Sequence, residues 1–450
     1  MASPDRRGNP CSSGSEAARA AAERSLWCLL SHYGSPPAEL EAAAAADPRW
    51  MLPHVMQAGH RLGLAEPGLV GEALAHLQQA QALAAGAAPR ERMHLEAVQH
   101  VAQGRWRDAC RLWDALLLEH PRDALALQWA HLWDFHQGDA VALQQRPARV
   151  LPEWDENDPL QPCVRALYAL GLAECNLYAQ AEDVGRRALA ANPRLPTAVH
   201  AVAHVMAMQG RFDEGSAWLR QHQPQWAEGN ALACHLWWHQ ALFRLEALDS
   251  VGVMRLLDHH LGGEALCGGM QRIDAAALLW RLHLLGEDVA TRCRALLAGW
   301  PLPADAAGCH AIVDLHVVLA LLGAGDVAAA ERRVARCAER ALAPADLRRS
   351  NHGVAREVGL PLMRGLLAFA RGDARAACEA IYAVRALVPR LGGSQAQREL
   401  IDQTLLAAAA RSGQRALGRA LVNERRMAAP LSPLARHWIE RLGGGEQARA

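Results

Sequence analysis

The chain contains no lysine at all; each of its 47 basic residues is arginine. A lysine nucleophile, and with it Schiff-base chemistry, is therefore excluded. Forty-seven acidic residues balance the arginines, so the formal net charge is zero. No excess of one sign draws the protein to nucleic acid or to anionic lipid. Phenylalanine and tyrosine are scarce, four of each. No stretch alternates apolar and polar residues over the length of a strand, which argues against a β-sheet core. No run of about 18 uninterrupted apolar residues occurs, so no membrane-spanning helix is expected. Eleven cysteines are present, an odd number scattered singly with no CxxC pair. With no secretory signal, that usage fits reduced thiols in a cytoplasm and core-filling roles for residues such as Cys110 and Cys175. HEXXH, GxSxG and a P-loop ending are also missing, which disfavours a zinc metalloprotease, an α/β-hydrolase and a P-loop nucleotide site.

What is present is alanine, and a beat. Gly104 and Gly138 lie 34 residues apart, as do Asn176 and Gly210, each between two short amphipathic helical patterns. A 34-residue period is that of tetratricopeptide repeats, helix–turn–helix units that cannot bury their apolar faces alone. Small residues recur at fixed offsets from the turn: Ala97, Ala169 and Ala203 before it, Ala109, Ala181 and Gly215 after it. They let paired helices approach closely. Pro121 and Pro193 stop the second helix of their units, since proline lacks the backbone donor. Further turns are expected at Leu248 or Ala247, Gly286, Gly325, Gly372 and Gly413, spaced by roughly 38 to 47 residues, with Gly365 and Ala377 keeping the small-residue offsets. Two earlier helix pairs are expected over 16–46 and 50–84. The predicted fold is all-α, an α/α superhelical solenoid over residues 17–442 with its clearest repeats at 90–222. Residues 1–16, polar and rich in glycine and serine, and 443–450 are expected to be disordered.

Twenty-one histidines is a high count, and four of them fall in pairs. PTAVHAVAHVMAMQGR places His200 and His204 at i and i+4, and NALACHLWWHQALFRLE places His235 and His239 likewise. Residues four apart share a helix face, and two imidazoles so spaced form many helical zinc ligand pairs. Counted from Gly210, His200 and His204 take the fifth and ninth positions of their unit. Asp274 and Trp280, then His310, Asp314 and His316, lie on the first helices of later units, so one concave side is expected to collect histidine, carboxylate and tryptophan. Trp238 and the other tryptophans read as groove walls or as core. The acidic run Glu153, Asp155, Glu156 and Asp158 lacks the spacing of a calcium loop and reads as a solvated connection. Ser394 reads as the cap of the helix that follows it.

The stretches PRDALALQWAHLWDFHQGD, RVLPEWDENDPL, HAVAHVMAMQGRFDEG, HLWWHQALFRLE, IDAAALLWRLHLLG, DLHVVLALLGAGD, VGLPLMRGLLAFARGDARAA and GGSQAQRELIDQTLL resemble the tetratricopeptide repeat protein 38 family. The resemblance runs from about Arg90 to near Arg426. It implies a cytoplasmic single-chain α-solenoid and supplies no reaction. It also implies that His200, His204, His235, His239, Asp274, Trp280, Asp314 and His316 match positions of the family's motif. One departure is visible, EALDSVG following HLWWHQALFRLE where the family continues with a glycine and a small residue.

The reading that follows is a repeat scaffold. It binds a peptide, protein or small-molecule ligand in a groove lined by His200, His204, His235, Trp238, His239, Asp274, Trp280, Asp314 and His316, with no nucleic-acid or membrane partner. The alternative is a metal-dependent or acid–base enzyme, with His200, His204, His235 and His239 as ligands of a divalent ion such as zinc. A third is that the histidines only pack.

Overall fold

The computed structural model describes residues 3–263, 266, 268–344 and 347–443. The fold is all-α, an α/α solenoid of tetratricopeptide-like helix–turn–helix hairpins in sequence order. The four clear hairpins begin with Pro89–Ala102, Ala124–Gln137, Gln161–Glu174 and Pro196–Met208. Hairpins led by Ala233–Glu246, Gly269–Leu285, Ala311–Gly323, Leu360–Ala370 and Leu400–Ser412 follow. The two early pairs are Glu16–Ser31 with Pro36–Ala46, and Leu52–Gly63 with Val70–Leu83. No described helix is long and apolar enough to cross a membrane.

Each expected turn residue has positive φ, from Gly104 at 74° to Gly413 at 69°. That left-handed conformation ends one helix and turns the chain back on itself. Leu248 adopts it too, at 61°, which settles the turn within EALDSVG; Asp249 next to it caps the following helix by accepting from Gly252 N at 2.9 Å. The small residues at the repeat offsets are buried, Ala97, Ala109, Ala169, Ala181 and Ala203 completely. A Cβ on Gly215 would stand 2.3 Å from Phe243 Cζ, so close approach there requires glycine.

The chain comprises two compact units. The first is residues 1–202, 224–233 and 348–350; the second is 203–223, 234–347 and 351–450. In the first, Trp113 and Trp129 pack at 5.7 Å, and Arg90 and His94 converge on buried Asp123 at 2.6 and 3.0 Å. In the second, buried leucine, valine and alanine side chains of successive hairpins form two clusters, one around Trp280 and Phe369, the other around Trp238 and Ile273.

The N-terminal segment departs from the expectation of disorder over 1–16. Ser3–Pro4 pairs antiparallel with Pro10–Cys11. Arg7, almost fully buried, spans Glu23 at 2.8 Å and Asp158 at 3.0 Å, while Ser12 donates to Glu91 Oε2 at 2.5 Å. Burying a guanidinium is tolerated because two carboxylates compensate it. Asp158 is thereby half of an ion pair and not part of a purely solvated connection. The expected disordered tail 443–450 lies outside the described residues beyond Gly443. All described cysteines are free thiols; burial pushes Cys163 and Cys337 up to about 12.

Candidate functional site

Side chains of the second unit, carried on three helices, build the site. His204 stands near the end of Pro196–Met208, His235 and His239 one turn apart on Ala233–Glu246, and Asp274 in the first half of Gly269–Leu285. His235 Nδ1 lies 2.6 Å from Asp274 Oδ2. The second carboxylate oxygen, Oδ1, accepts from Gln397 Nε2 at 2.8 Å.

Gln397 is fixed in turn by a local motif. Ser394 caps the helix Gln395–Arg398 by accepting from Gln397 N, and the Gln397 amide oxygen accepts from Ser394 N at 2.9 Å. This S-x-x-Q capping box leaves the amide nitrogen to face Asp274. A cap written in four residues thus orients a carboxylate 123 positions away. Ser394 was expected as a cap; its consequence for Asp274 was not legible, because nothing in the sequence says which helix faces that cap.

The imidazoles stack with aromatic neighbours. His235 lies on Trp238 with centroids 5.2 Å apart and planes at 17°. His239 meets His235 edge-on at 4.8 Å and His204 edge-on at 5.5 Å. Ring nitrogens of His235 and His239 lie within 4.8 Å of each other. His204, Trp238, His239 and Asp274 are buried, whereas the His235 side chain keeps 15% of its surface. His235 is accordingly the member of the cluster that solvent reaches.

Of the other predicted residues, His200 lies in the first unit, buried, one turn before His204 on the same helix. Three are held by partners of their own. Trp280 donates from Nε1 to Thr404 Oγ1 at 2.9 Å. Asp314 accepts from Arg333 at 2.6 and 3.0 Å and from Gly308 N at 2.9 Å; burial raises its carboxyl against the pull of Arg333. His316 Nδ1 faces Ile312 O at 2.7 Å, and burial pushes the ring down to about 4. None of these three side chains lines an open groove. For Trp280 the physical reason is coverage. Residues 395–404 lie against the Asp274 helix, with Thr404 on Trp280, Gln397 on Asp274 and the Ala396 carbonyl on Arg281.

No family model matches the chain. Among solved structures it is similar to one described as Structure of Naa15/Naa10 bound to HypK-THB, at 11% identity and a TM-score of 0.25, covering 92% of this chain and 64% of that one. The chain thus spans just under two thirds of that chain's length. A likeness at that TM-score carries no weight for function.

Arg281 is the residue that sequence reading passed over. Its guanidinium is fully buried, donates to Ala396 O at 2.6 Å, lies 3.6 Å from Glu399 and sits over the Trp238 ring at 5.8 Å. The signal was its isolation, one charge inside the apolar run ALLWRLHLL. A buried charge must be compensated, so such a residue marks a polar interior. Here that interior holds Arg425 between Glu246 and Glu399. Burial pushes the Glu399 carboxyl up, but Arg425 and Arg281 beside it bring the net shift down.

Proposed function

We propose that the protein is a repeat scaffold that takes a peptide, protein or small-molecule ligand at the imidazole cluster of its second unit, with His235 as the group the ligand meets. One observation carries this reading, the Gln397–Asp274–His235 chain that ends on a partly exposed imidazole. A carboxylate on Nδ1 fixes the ring plane and tautomer, so Nε2 is held on the far side of the ring in a set orientation. Trp238 beneath the ring removes its rotational freedom. A ring that only filled space would need neither constraint. The resemblance to the tetratricopeptide repeat protein 38 family, a cytoplasmic location and the absence of nucleic-acid or lipid partners belong to the same reading, supported by the balanced charge. The test is a screen of small polar fragments read on the histidine ring signals by NMR. Binders are expected to move His235, His239 and Trp238 together; binders that leave all three unmoved defeat the reading.

A second reading is an acid–base or zinc-dependent enzyme on the same residues. The carboxylate-oriented histidine favours it, since that pairing supports both general bases and metal-ligating imidazoles. Sharing one zinc requires ligand nitrogens roughly 3.3 Å apart, as follows from bonds of about 2.0–2.1 Å in tetrahedral geometry. Ring nitrogens of His235 and His239 lie within 4.8 Å of each other and would have to close on the ion. Elemental analysis of untagged protein decides it: zinc at one per chain, lost in His235→Ala and His239→Ala, supports the metal version, and zinc below a tenth per chain removes it.

A further inference from the structure

A second feature of the same unit goes beyond the dyad. Along the three site helices, one or two turns past the imidazoles and Asp274, lie Met208, Leu242 and Arg281. They line a cavity of about 270 Å³, close to the lower end of small-molecule pockets, about 300 Å³. Most of its wall is apolar, including Met208, Leu421 and the contacting rings of Phe212 and Phe243, 6.5 Å apart. The rest of the lining is mainly ionic. Arg425 bridges Glu246 and Glu399, and Arg385 bridges Asp402 and Glu424 at 2.7 and 2.6 Å. With Arg281, the described wall carries three guanidinium groups and four carboxylates, leaving one negative charge in excess.

The guanidiniums of Arg385 and Arg425 are each already held by two carboxylates, so an entering anion would have to displace one. All four carboxylates also face an arginine, but with four of them against three guanidiniums the net charge of the wall favours an entering cation over an anion. Gln403, on the same wall and almost fully buried, donates to Glu399 at 2.5 Å, but its Oε1 has no hydrogen-bond partner among the described residues. A buried acceptor left unmet asks for a donor. The Nε groups of Arg281 and Arg425 are likewise unmet among the described residues, which asks for an acceptor beside that donor. Ion pairs as exposed as those of Arg385 with Asp402 and Glu424 add little to stability, so stability alone gives little reason to keep them.

We propose that this cavity binds an α-amino amide with an apolar, preferably aromatic, side chain. Its ammonium lies by the carboxylates and Gln403, its carbonyl by the arginines, and its side chain on Phe212 and Phe243. The same chemistry occurs in a free small amide and in the first residue of a peptide.

The test is calorimetric titration of the full chain at low ionic strength with four probes. They are phenylalaninamide, N-acetylphenylalaninamide, 3-phenylpropionate and the tripeptide amide Phe-Gly-Gly-NH2. Phenylalaninamide is expected to bind at least about tenfold more tightly than the acetylated or anionic probe. Glu424→Gln, at an exposed carboxylate that leaves the buried pairs intact, is expected to weaken it about fivefold or more by cancelling the surplus charge. Tripeptide binding of equal strength assigns the site to peptide amino termini, and its exclusion assigns the site to a free amide. Leu421→Trp is expected to abolish binding by filling the cavity; if it does not fold, Ala428→Leu serves. His235→Ala is expected to leave binding unchanged, which separates this site from the dyad. Phenylalaninamide binding that is absent, matched by 3-phenylpropionate, or indifferent to Glu424→Gln overturns the proposal.

Discussion

Replacing Asp274 tests the dyad where its parts meet. The carboxylate is buried and receives two hydrogen bonds, from His235 Nδ1 at 2.6 Å and Gln397 Nε2 at 2.8 Å. Asp274→Ala strands both partners. An unmet polar group in the interior costs about 1–3 kcal/mol, and the Gln397 amide is fully buried while His235 is not. A loss of about 2–4 kcal/mol is therefore expected, weighted towards the glutamine. Asp274→Asn keeps the shape and exchanges two charge-assisted bonds, about 1.5–3 kcal/mol each, for neutral ones of about 0.5–1.5, a loss of about 2–3 kcal/mol. It also changes chemistry. Asparagine has one acceptor oxygen for two donors, so the amide nitrogen must face either Gln397 or His235. Gln397 is locked by its capping box with its nitrogen forward, which keeps the Asn oxygen on Gln397 and turns the Asn NH2 towards His235. The ring must then accept at Nδ1 and carry its proton on Nε2, the reverse of the native tautomer. Urea denaturation measures the energies, and nitrogen chemical shifts of labelled histidine read the tautomer. Losses below about 0.5 kcal/mol in Asp274→Ala, or an unchanged tautomer in a folded Asp274→Asn, would refute the reasoning.

Acid offers a separate check. Burial pushes His131, His136 and His316 down to about 4, against about 6.5 unfolded. Each is neutral when folded, so the unfolded chain binds more protons below 6.5 and stability falls as pH drops from 6.5 towards 4. At pH 5 each costs about 2 kcal/mol, and flat stability between pH 7 and 5 in calorimetry would contradict their burial. Leu248→Gly should stabilise by about 0.5 kcal/mol, because left-handed leucine costs about 1–2 kcal/mol and glycine's extra chain entropy about 0.5–1; a loss above 1 kcal/mol in urea would place the turn elsewhere. Gly171→Ala would set a Cβ 2.3 Å from the Leu143 carbonyl oxygen, backbone that cannot swing aside, and about 2 kcal/mol or more should be lost. Arg425→Met leaves the partly buried Glu246 and Glu399 without their shared cation, at a cost of about 1–3 kcal/mol; a variant as stable as the parent in thermal melts would mean the pairs are solvated.

The hairpins were legible in the sequence because their causes are local. Glycine or asparagine in the left-handed turn, an aspartate capping the next helix, and alanine where helices touch all act within one repeat. The same grid placed His204, His235, His239 and Asp274 on first helices. Burial was not legible. Whether Trp280, Asp314 and His316 line a groove or a core depends on what covers them, and the cover for Trp280 comes from Thr404, 124 residues on. The N-terminal hairpin escaped for the same reason, since glycine and serine signal a loose segment while Arg7 finds its second carboxylate at Asp158. Pairing over such distances is set by how helices stack, and the energy of a buried ion pair or a His–Asp–Gln chain exists only once water has been removed from between the partners. Sequence alone determined the repeating unit and the side chains each unit carries. The tertiary structure decided which of them meet, which are covered, and that His235 alone of the second unit's imidazole cluster keeps a face to solvent.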